Sequence, residues 1–123
     1  MDKKDFKVII AGSRSFNNYD LLNERVLALL KEKVNNSNII IISGTANGAD
    51  KLGEKFAEEH NFGLIKKPAD WDKHGKSAGY KRNKEMADIA DACVVFWDGE
   101  SPGSKHMIDI AKDKNIPVRI IKY

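Results

Sequence analysis

Val8-Ile9-Ile10-Ala11-Gly12-Ser13-Arg14 is an apolar run that ends abruptly in a glycine, a serine and an arginine. The same device recurs at Ile39-Ile40-Ile41-Ile42-Ser43-Gly44 and at Cys93-Val94-Val95-Phe96-Trp97-Asp98-Gly99. A strand with one face in water alternates apolar and polar residues. A continuous branched run predicts a strand covered on both faces, the condition of a parallel sheet flanked by helices. Five apolar segments rich in branched residues are expected to be strands, at 6–11, 38–42, 63–66, 92–97 and 117–121, and three of them contain these nearly continuous runs.

Helical periodicity fills the intervals. Leu22, Val26, Leu29, Leu30 and Val34 share one face, with Asp20 as the expected N-cap. Ala49, Leu52, Gly53, Phe56, Ala57 and His60 recur at three- and four-residue steps. Gly53 weakens a helix, so its inward position predicts a close contact between helix and sheet. Further helices are expected at 80–90, with Met86, Ile89 and Ala90 inward, and at 104–114, with Met107, Ile108, Ile110 and Ala111 inward.

Strict alternation of strands and helices predicts a single α/β domain over 1–123. Its expected form is Rossmann-like, a five-stranded parallel sheet in the order 3-2-1-4-5 with helices on both faces. The chain then reverses direction between strands one and four. Ligands of open α/β sheets bind in that crevice, here between Gly12-Ser13-Arg14 and Trp97-Asp98-Gly99. The longest irregular stretch, 67–79, falls on the same edge.

Composition fits this reading. Of 123 residues 41% are hydrophobic and 32% charged, too apolar for disorder, and a chain of this length buries roughly two-thirds of its unfolded surface. The single cysteine, Cys93, rules out an intrachain disulfide, and as part of a buried strand it reads as inert packing. The charged start, Met1 to Asp5, leads into an apolar segment too short for a signal peptide or a membrane span, so a cytoplasmic location without membrane contact is expected. The net charge of +3 is spread through mixed runs such as Lys31-Glu32-Lys33, which argues against a nucleic-acid footprint.

Glycine and hydroxyl residues gather where the strands end. Gly12, Ser13 and Arg14 follow the first; Ser43, Gly44, Thr45, Asn47, Gly48 and Asp50 follow the second; Asp98, Glu100, Gly103 and Ser104 follow the fourth. Such loops bring backbone N–H groups and helix starts close to an anion. Neither the P-loop nor GxGxxG is present. Arg14 stands at the switch point and suits a phosphate or carboxylate, or else bridges to a surface acid. Arg82, with Asn83, opens a helix, where a cation opposes the dipole and so suggests an anionic partner. Trp71 and Trp97 lie in or beside the same loops and either stack on a base or cap the core. His60 reads as a structural helix end. His74 and His106 lie near the crevice without metal-ligand spacing, so neither metal nor cofactor is expected. Asp70, Asp98 and Glu100 are the acid–base candidates, and Asp50 either caps its helix or faces the ligand.

Taken in order, Gly12 to Phe16, Ser43 to Asp50, Pro68 to Trp71, Gly75 to Asn83 with Met86, and Phe96 to Ile108 resemble the YspA, cpYpsA-related SLOG family along nearly the whole chain. The resemblance implies a Rossmann-like domain, of a kind found in bacteria and phages, that binds a nucleotide or a nucleotide-derived small molecule as a sensor or binding module. The Lonely Guy phosphoribohydrolases of the same superfamily are more distantly similar. Their arginine, lysine and methionine on one helix are echoed by Arg82, Lys84 and Met86. Their PGGxGTxxE motif is matched by Ser101-Pro102-Gly103-Ser104-Lys105-His106-Met107, with Met107 where the catalytic glutamate would stand. A thioether takes no proton and stabilises no oxocarbenium-like state. Cleavage of an N-glycosidic or phosphate bond is therefore the alternative to binding, and would require Asp70, Asp98 or Glu100. Single-stranded nucleic-acid binding, implied by the DNA-processing protein A relatives, is the second alternative. Because the phosphoribohydrolases are dimers, the resemblance also implies a homodimer.

Overall fold

A computed structural model describes residues 3–123, so that the first two residues of the charged start lie outside it. The strands are β1 (Lys4–Gly12), β2 (Ser37–Ser43), β3 (Gly63–Lys66), β4 (Ala92–Trp97) and β5 (Val118–Lys122). They form one parallel sheet in the order β3-β2-β1-β4-β5, as the alternation of elements requires. The helices are α1 (Tyr19–Leu30), α2 (Ala49–Glu59), α3 (Trp71–His74), α4 (Ala78–Ile89) and α5 (Pro102–Asp113). Among the described residues no helix is long and apolar enough to cross a membrane.

Successive side chains of β1 point to opposite faces, and both faces are dry. Val8 and Ile10 join Leu22, Val26 and Leu30 of α1 and Phe56 of α2 in one cluster. Ile9 and Ala11 join Met86 of α4 and Met107, Ile108 and Ala111 of α5 in the other. That double burial is why the central strands carry no polar alternation. Gly53 lies against Ile10: a Cβ there would fall 2.9 Å from the Ile10 side chain, which explains a glycine on the inward face of α2.

Local boundaries differ from the sequence expectations. α1 ends at Leu30, so Val34 packs on the core from the turn that follows the helix. α4 begins at Ala78, which puts Arg82 and Asn83 in its second turn and removes the expected conflict between Arg82 and the dipole of the helix start. Asn18 caps α1, its Oδ1 accepting the Leu21 N–H at 3.1 Å, whereas Asp20 lies inside the first turn. Leu29 is exposed at the edge of the apolar stripe. The segment 67–79 is not wholly irregular: Asp70 accepts the Lys73 N–H at 3.1 Å and starts the single turn of α3, which runs through a 3-10 turn (Gly75–Ser77) into α4. Finally, α5 begins at Pro102, where a missing N–H costs nothing.

Candidate functional site

All crossovers from strand to helix meet at the C-terminal edge of the sheet, where they enclose a cleft of about 510 Å³. Its walls come from the end of β1 (Gly12, Ser13, Arg14), the start of α2 (Ala46, Asp50), the start of α4 (Gly79, Tyr80, Arg82, Asn83) and the start of α5 (Asp98, Gly103, Ser104). Trp71 and Lys76 close the side formed by the 67–79 segment, and Met86 and Met107 form apolar surface inside it. A smaller recess of about 340 Å³ adjoins the cleft, bounded by Gly44, Thr45 and Asn47 and sharing Arg14, Trp71 and Arg82 with it.

The β1 and β4 ends are clasped together. Ser13 donates its N–H to the Phe96 carbonyl at 2.9 Å, and its Oγ accepts the Asp98 N–H at 3.1 Å. The Asp98 carboxylate turns back on its own loop and accepts the N–H groups of Glu100 and Ser101 at 2.9 and 2.8 Å. Those donors hold Asp98 below the usual carboxylate range, so it is ionised at neutral pH. At the start of α5 neither a side-chain cap nor an acidic residue satisfies the first turn, so the helix presents positive dipole and free N–H groups beside Gly103 and Ser104. The starts of α2 and α4 also lack a side-chain cap but are not free in the same way. Ala49 donates its N–H to the Ser13 carbonyl at 3.4 Å and Asp50 stands in the first turn of α2. α4 is entered from the 3-10 turn, with the Ala78 N–H donated to the Gly75 carbonyl.

Gly48, with a φ of +82°, lets the β2–α2 loop pass under β1: a Cβ there would fall 2.3 Å from the Ser13 carbonyl oxygen and 2.5 Å from that of Arg14. Deeper in the same loop, Ser43 Oγ lies 2.7 Å from Glu54 Oε2 and accepts the Thr45 N–H at 3.0 Å. Ser43 thus supports the loop from below. Asp50 is buried, and its Oδ2 accepts the Ala46 N–H at 3.1 Å. Burial is the largest influence on its carboxyl group, which is pushed up to about 6 despite that N–H and the more distant Arg82 and Arg14; Glu54 adds to the rise.

Arg82, shared by the cleft and the recess, donates to the Gly44 carbonyl oxygen in the recess wall and from Nε to Asn83 Oδ1 at 3.0 Å. Burial lowers its pKa from the free value, Asp50 raises it and Arg14 lowers it. Among the described residues neither Arg14 nor Arg82 has a carboxylate within 4.0 Å. Asn83 in turn donates to the Gly103 carbonyl at 3.3 Å and lies 3.2 Å from His106 Nδ1, tying α4 to α5. With the amide NH₂ donating, the ring proton of His106 belongs on Nε2, and burial lowers the pKa of the ring further into the neutral form.

Of the residues singled out in the sequence, Gly12, Ser13, Arg14, Asp50, Trp71, Arg82, Asn83, Asp98, Gly103 and Ser104 meet in the cleft, and Gly44, Thr45 and Asn47 in the recess. Ser43 and Gly48 shape the loop without forming the walls of the cleft. Three residues stand elsewhere. Asp70 is occupied with capping α3, Glu100 is exposed outside the cleft, and Trp97 donates its Nε1–H to the Ser101 carbonyl at 3.1 Å, bracing the β4–α5 loop. Lys76 is a lining cation that the sequence reading left out; its only signal was its place in the 67–79 segment. Lys84, the echo of the phosphoribohydrolase lysine, is exposed and off the cleft, while Arg82, Met86 and Met107 are on it.

The model of the YspA, cpYpsA-related SLOG family matches residues 6–74, which carry β1, the glycine-rich β2–α2 loop and the approach to the cleft. The chain belongs to this family. Gene 61 protein of Mycobacterium phage D29 is a relative of this SLOG chain, 32% identical over 120 residues that cover 91% of the chain and 93% of the relative. Among solved structures, TM1055 superposes with a TM-score of 0.62 at 19% identity, over 95% of this chain and 72% of that one. DNA processing protein A from Helicobacter pylori, described for its single-stranded DNA binding mode, superposes with a TM-score of 0.60 at 19% identity, over 94% and 64%. At such identities both likenesses speak of the shared Rossmann-like fold.

Proposed function

We propose that this SLOG domain is a binding module for a nucleotide or nucleotide-derived small molecule, held in the cleft at the sheet switch point. The observation that carries this reading is the pair Arg14 and Arg82, both on the cleft and both without a carboxylate within 4.0 Å. Guanidinium groups that no carboxylate contacts, beside the uncapped start of α5, favour a phosphate. Apolar surface from Met86, Met107 and Trp71 suits a flat base. Hydrolysis has less support: Asp98 is ionised and engaged with its own loop, Asp70 caps α3, Glu100 lies outside, and Met107 brings no acid to the cleft.

The test is a thermal-shift screen of nucleoside mono-, di- and triphosphates and nucleotide sugars, repeated on Arg14→Ala and Lys76→Ala. A ligand that binds the folded state alone raises Tm by mass action. A concentration-dependent rise that weakens in both variants supports the reading. A flat response across the panel, or shifts indifferent to both substitutions, overturns it.

A second reading rests on Trp71 and Tyr80, which are 51% and 48% exposed beside Lys76 and Arg14. Aromatic faces interleaved with cations form a stacking platform for single-stranded nucleic acid, the ligand named for DNA processing protein A. Retention of single-stranded DNA that falls steeply with salt, and that is lost in Trp71→Ala, would favour it over the small molecule.

A further inference from the structure

We infer that Asp50 reads the uncharged part of the ligand, its carboxylate oxygen Oδ1 accepting a hydrogen bond from a sugar hydroxyl or base N–H of a molecule whose phosphate lies against the arginines. This rests on the nucleotide-binding reading above and names which chemistry the cleft selects beyond the anion.

Asp50 is 4% exposed, yet only one of its two oxygens is partnered within the protein. Oδ2 takes the Ala46 N–H, and Oδ1 has no hydrogen-bond partner among the described residues. No deeply buried side-chain oxygen or nitrogen among these residues lacks a partner, so Oδ1 must be open to solvent. Because Asp50 is part of the cleft wall, the cleft is where that opening leads. An acceptor that faces the cleft exchanges water for a ligand donor, and a bound ligand that brought no donor there would leave it unpaired at a cost.

The surroundings decide what kind of donor fits. Arg82 from α4 and Arg14 from the β1–α1 loop act on Asp50 from beyond 4.0 Å, Glu54 acts from the next turn of α2, and the neutral thiol Cys93 lies on β4. A phosphate oxygen is excluded from Oδ1 by like charge. A divalent cation has no cluster of three carboxylate, histidine or cysteine ligands to hold it among the described residues. Glu54 is turned to Ser43 and to the lysines Lys51 and Lys66, and Asp98, the other carboxylate on the cleft, accepts from its own loop. With its pKa near 6, Asp50 is mostly ionised at neutral pH and therefore an acceptor. An uncharged O–H or N–H is the donor class left.

Isothermal titration of the wild type and Asp50→Asn tests this with AMP, GMP, CMP and UMP, their 2′,3′-dideoxy counterparts and inorganic pyrophosphate. The amide introduced by this substitution retains an acceptor for the Ala46 N–H and offers NH₂ to the cleft in place of Oδ1. Loss of about tenfold or more in nucleotide affinity, with pyrophosphate unchanged, supports the inference. If the dideoxy compounds bind the wild type as weakly as the nucleotides bind the variant, the donor is a sugar hydroxyl. If they bind the wild type normally, the donor is on the base. Equal nucleotide affinity in both proteins overturns the role of Asp50 while leaving the binding reading intact. Absence of binding by every probe overturns the inference for these nucleotides, and joined to a flat thermal-shift response across the wider panel it overturns the binding reading too. A readout independent of the variant is the Asp50 ¹³Cγ resonance of the wild type, which must move on nucleotide addition and stay in place with pyrophosphate; a resonance indifferent to nucleotide counts against the inference.

Discussion

Arg82, in the second turn of α4, donates from Nη1 to the carbonyl oxygen of Gly44, which follows β2 and bounds the recess beside the cleft. Gly44 lacks the Cβ that would fall 2.5 Å from Nη1 and 2.7 Å from Asp50 Oδ2. The glycine therefore makes room for the cation and the acid together. In Gly44→Ala the long arginine swings aside and its charge leaves the cleft, while the short, buried Asp50 has to shift as well, for a total cost of about 1–2 kcal/mol. Expected are a modestly lowered Tm and loss of most of the nucleotide-induced shift.

Gly48→Ala should behave in the opposite way. Its Cβ would meet backbone, the carbonyl oxygens of Ser13 and Arg14, and a φ of +82° disfavours any L side chain. Backbone cannot step aside as an arginine tip can. A loss of about 3 kcal/mol or more is expected from strain and overlap combined, read by urea denaturation. A cost equal to that of Gly44→Ala would contradict this account of the two glycines.

Ser43→Ala tests the support beneath the loop. Ser43 Oγ is within reach of two acceptors, the Asp50 carbonyl at 3.2 Å and Glu54 Oε2 at 2.7 Å, but has one proton. The shorter contact to a carboxylate is the stronger. Removing the hydroxyl leaves the mostly buried Glu54 without that donor and Thr45 N–H without its acceptor. A destabilisation of about 1–3 kcal/mol is expected, and Glu54→Gln in the same background should recover part of it. A neutral result in Ser43→Ala would show that Lys51 and Lys66 alone satisfy Glu54.

The sheet was legible because Ile39 to Ile42 and Cys93 to Trp97 leave no polar face, and burial on both sides admits few architectures. Gly53 was legible for the same reason, since a glycine on an inward face needs a close neighbour. The cap of α1 was not, because Asn18 and Asp20 are both good capping residues and only backbone geometry separates them. The single turn of α3 is too short to have a period. At the site, residues at the ends of strands could be placed from topology, which is why Gly12, Ser13, Arg14 and Gly103 were found. Side-chain direction inside a loop depends on turns that the sequence does not display. Thus Asp70 turned to its cap, Asp98 to the N–H groups of Glu100 and Ser101 and Trp97 to Ser101, while Asp50 proved to be buried with one oxygen unpartnered within the protein.

Cys93 supplies a probe of global opening. It is buried in β4, and burial pushes its thiol up to about 12, with the Asp50 charge adding to the rise. No thiolate is available in the native state at neutral pH. Ellman's reagent should leave the folded protein unlabelled and react fully in denaturant. Under native conditions, slow labelling should track the opening equilibrium and be retarded by any nucleotide that binds. Rapid native labelling would mean that β4 is accessible without unfolding.

Asp50 gives the sharpest dependence on pH. Its folded-state pKa of about 6 lies above the ordinary 3.8, so the fold disfavours the ionised form. Below 3.8 the folded and unfolded chains both hold the proton, and the group contributes nothing through ionisation. Between 3.8 and about 6 the unfolded chain releases the proton while the folded chain retains it, so the contribution of Asp50 to stability falls as pH rises. Above about 6 both states are ionised and the whole cost, about 3 kcal/mol, is in place. Asp50→Asn removes that cost. Urea denaturation across pH should find the variant more stable than the wild type at neutral pH and the advantage shrinking steadily as the pH falls toward 3.8. A constant difference between the two proteins over that range would show that Asp50 titrates in the fold as it does in the unfolded chain.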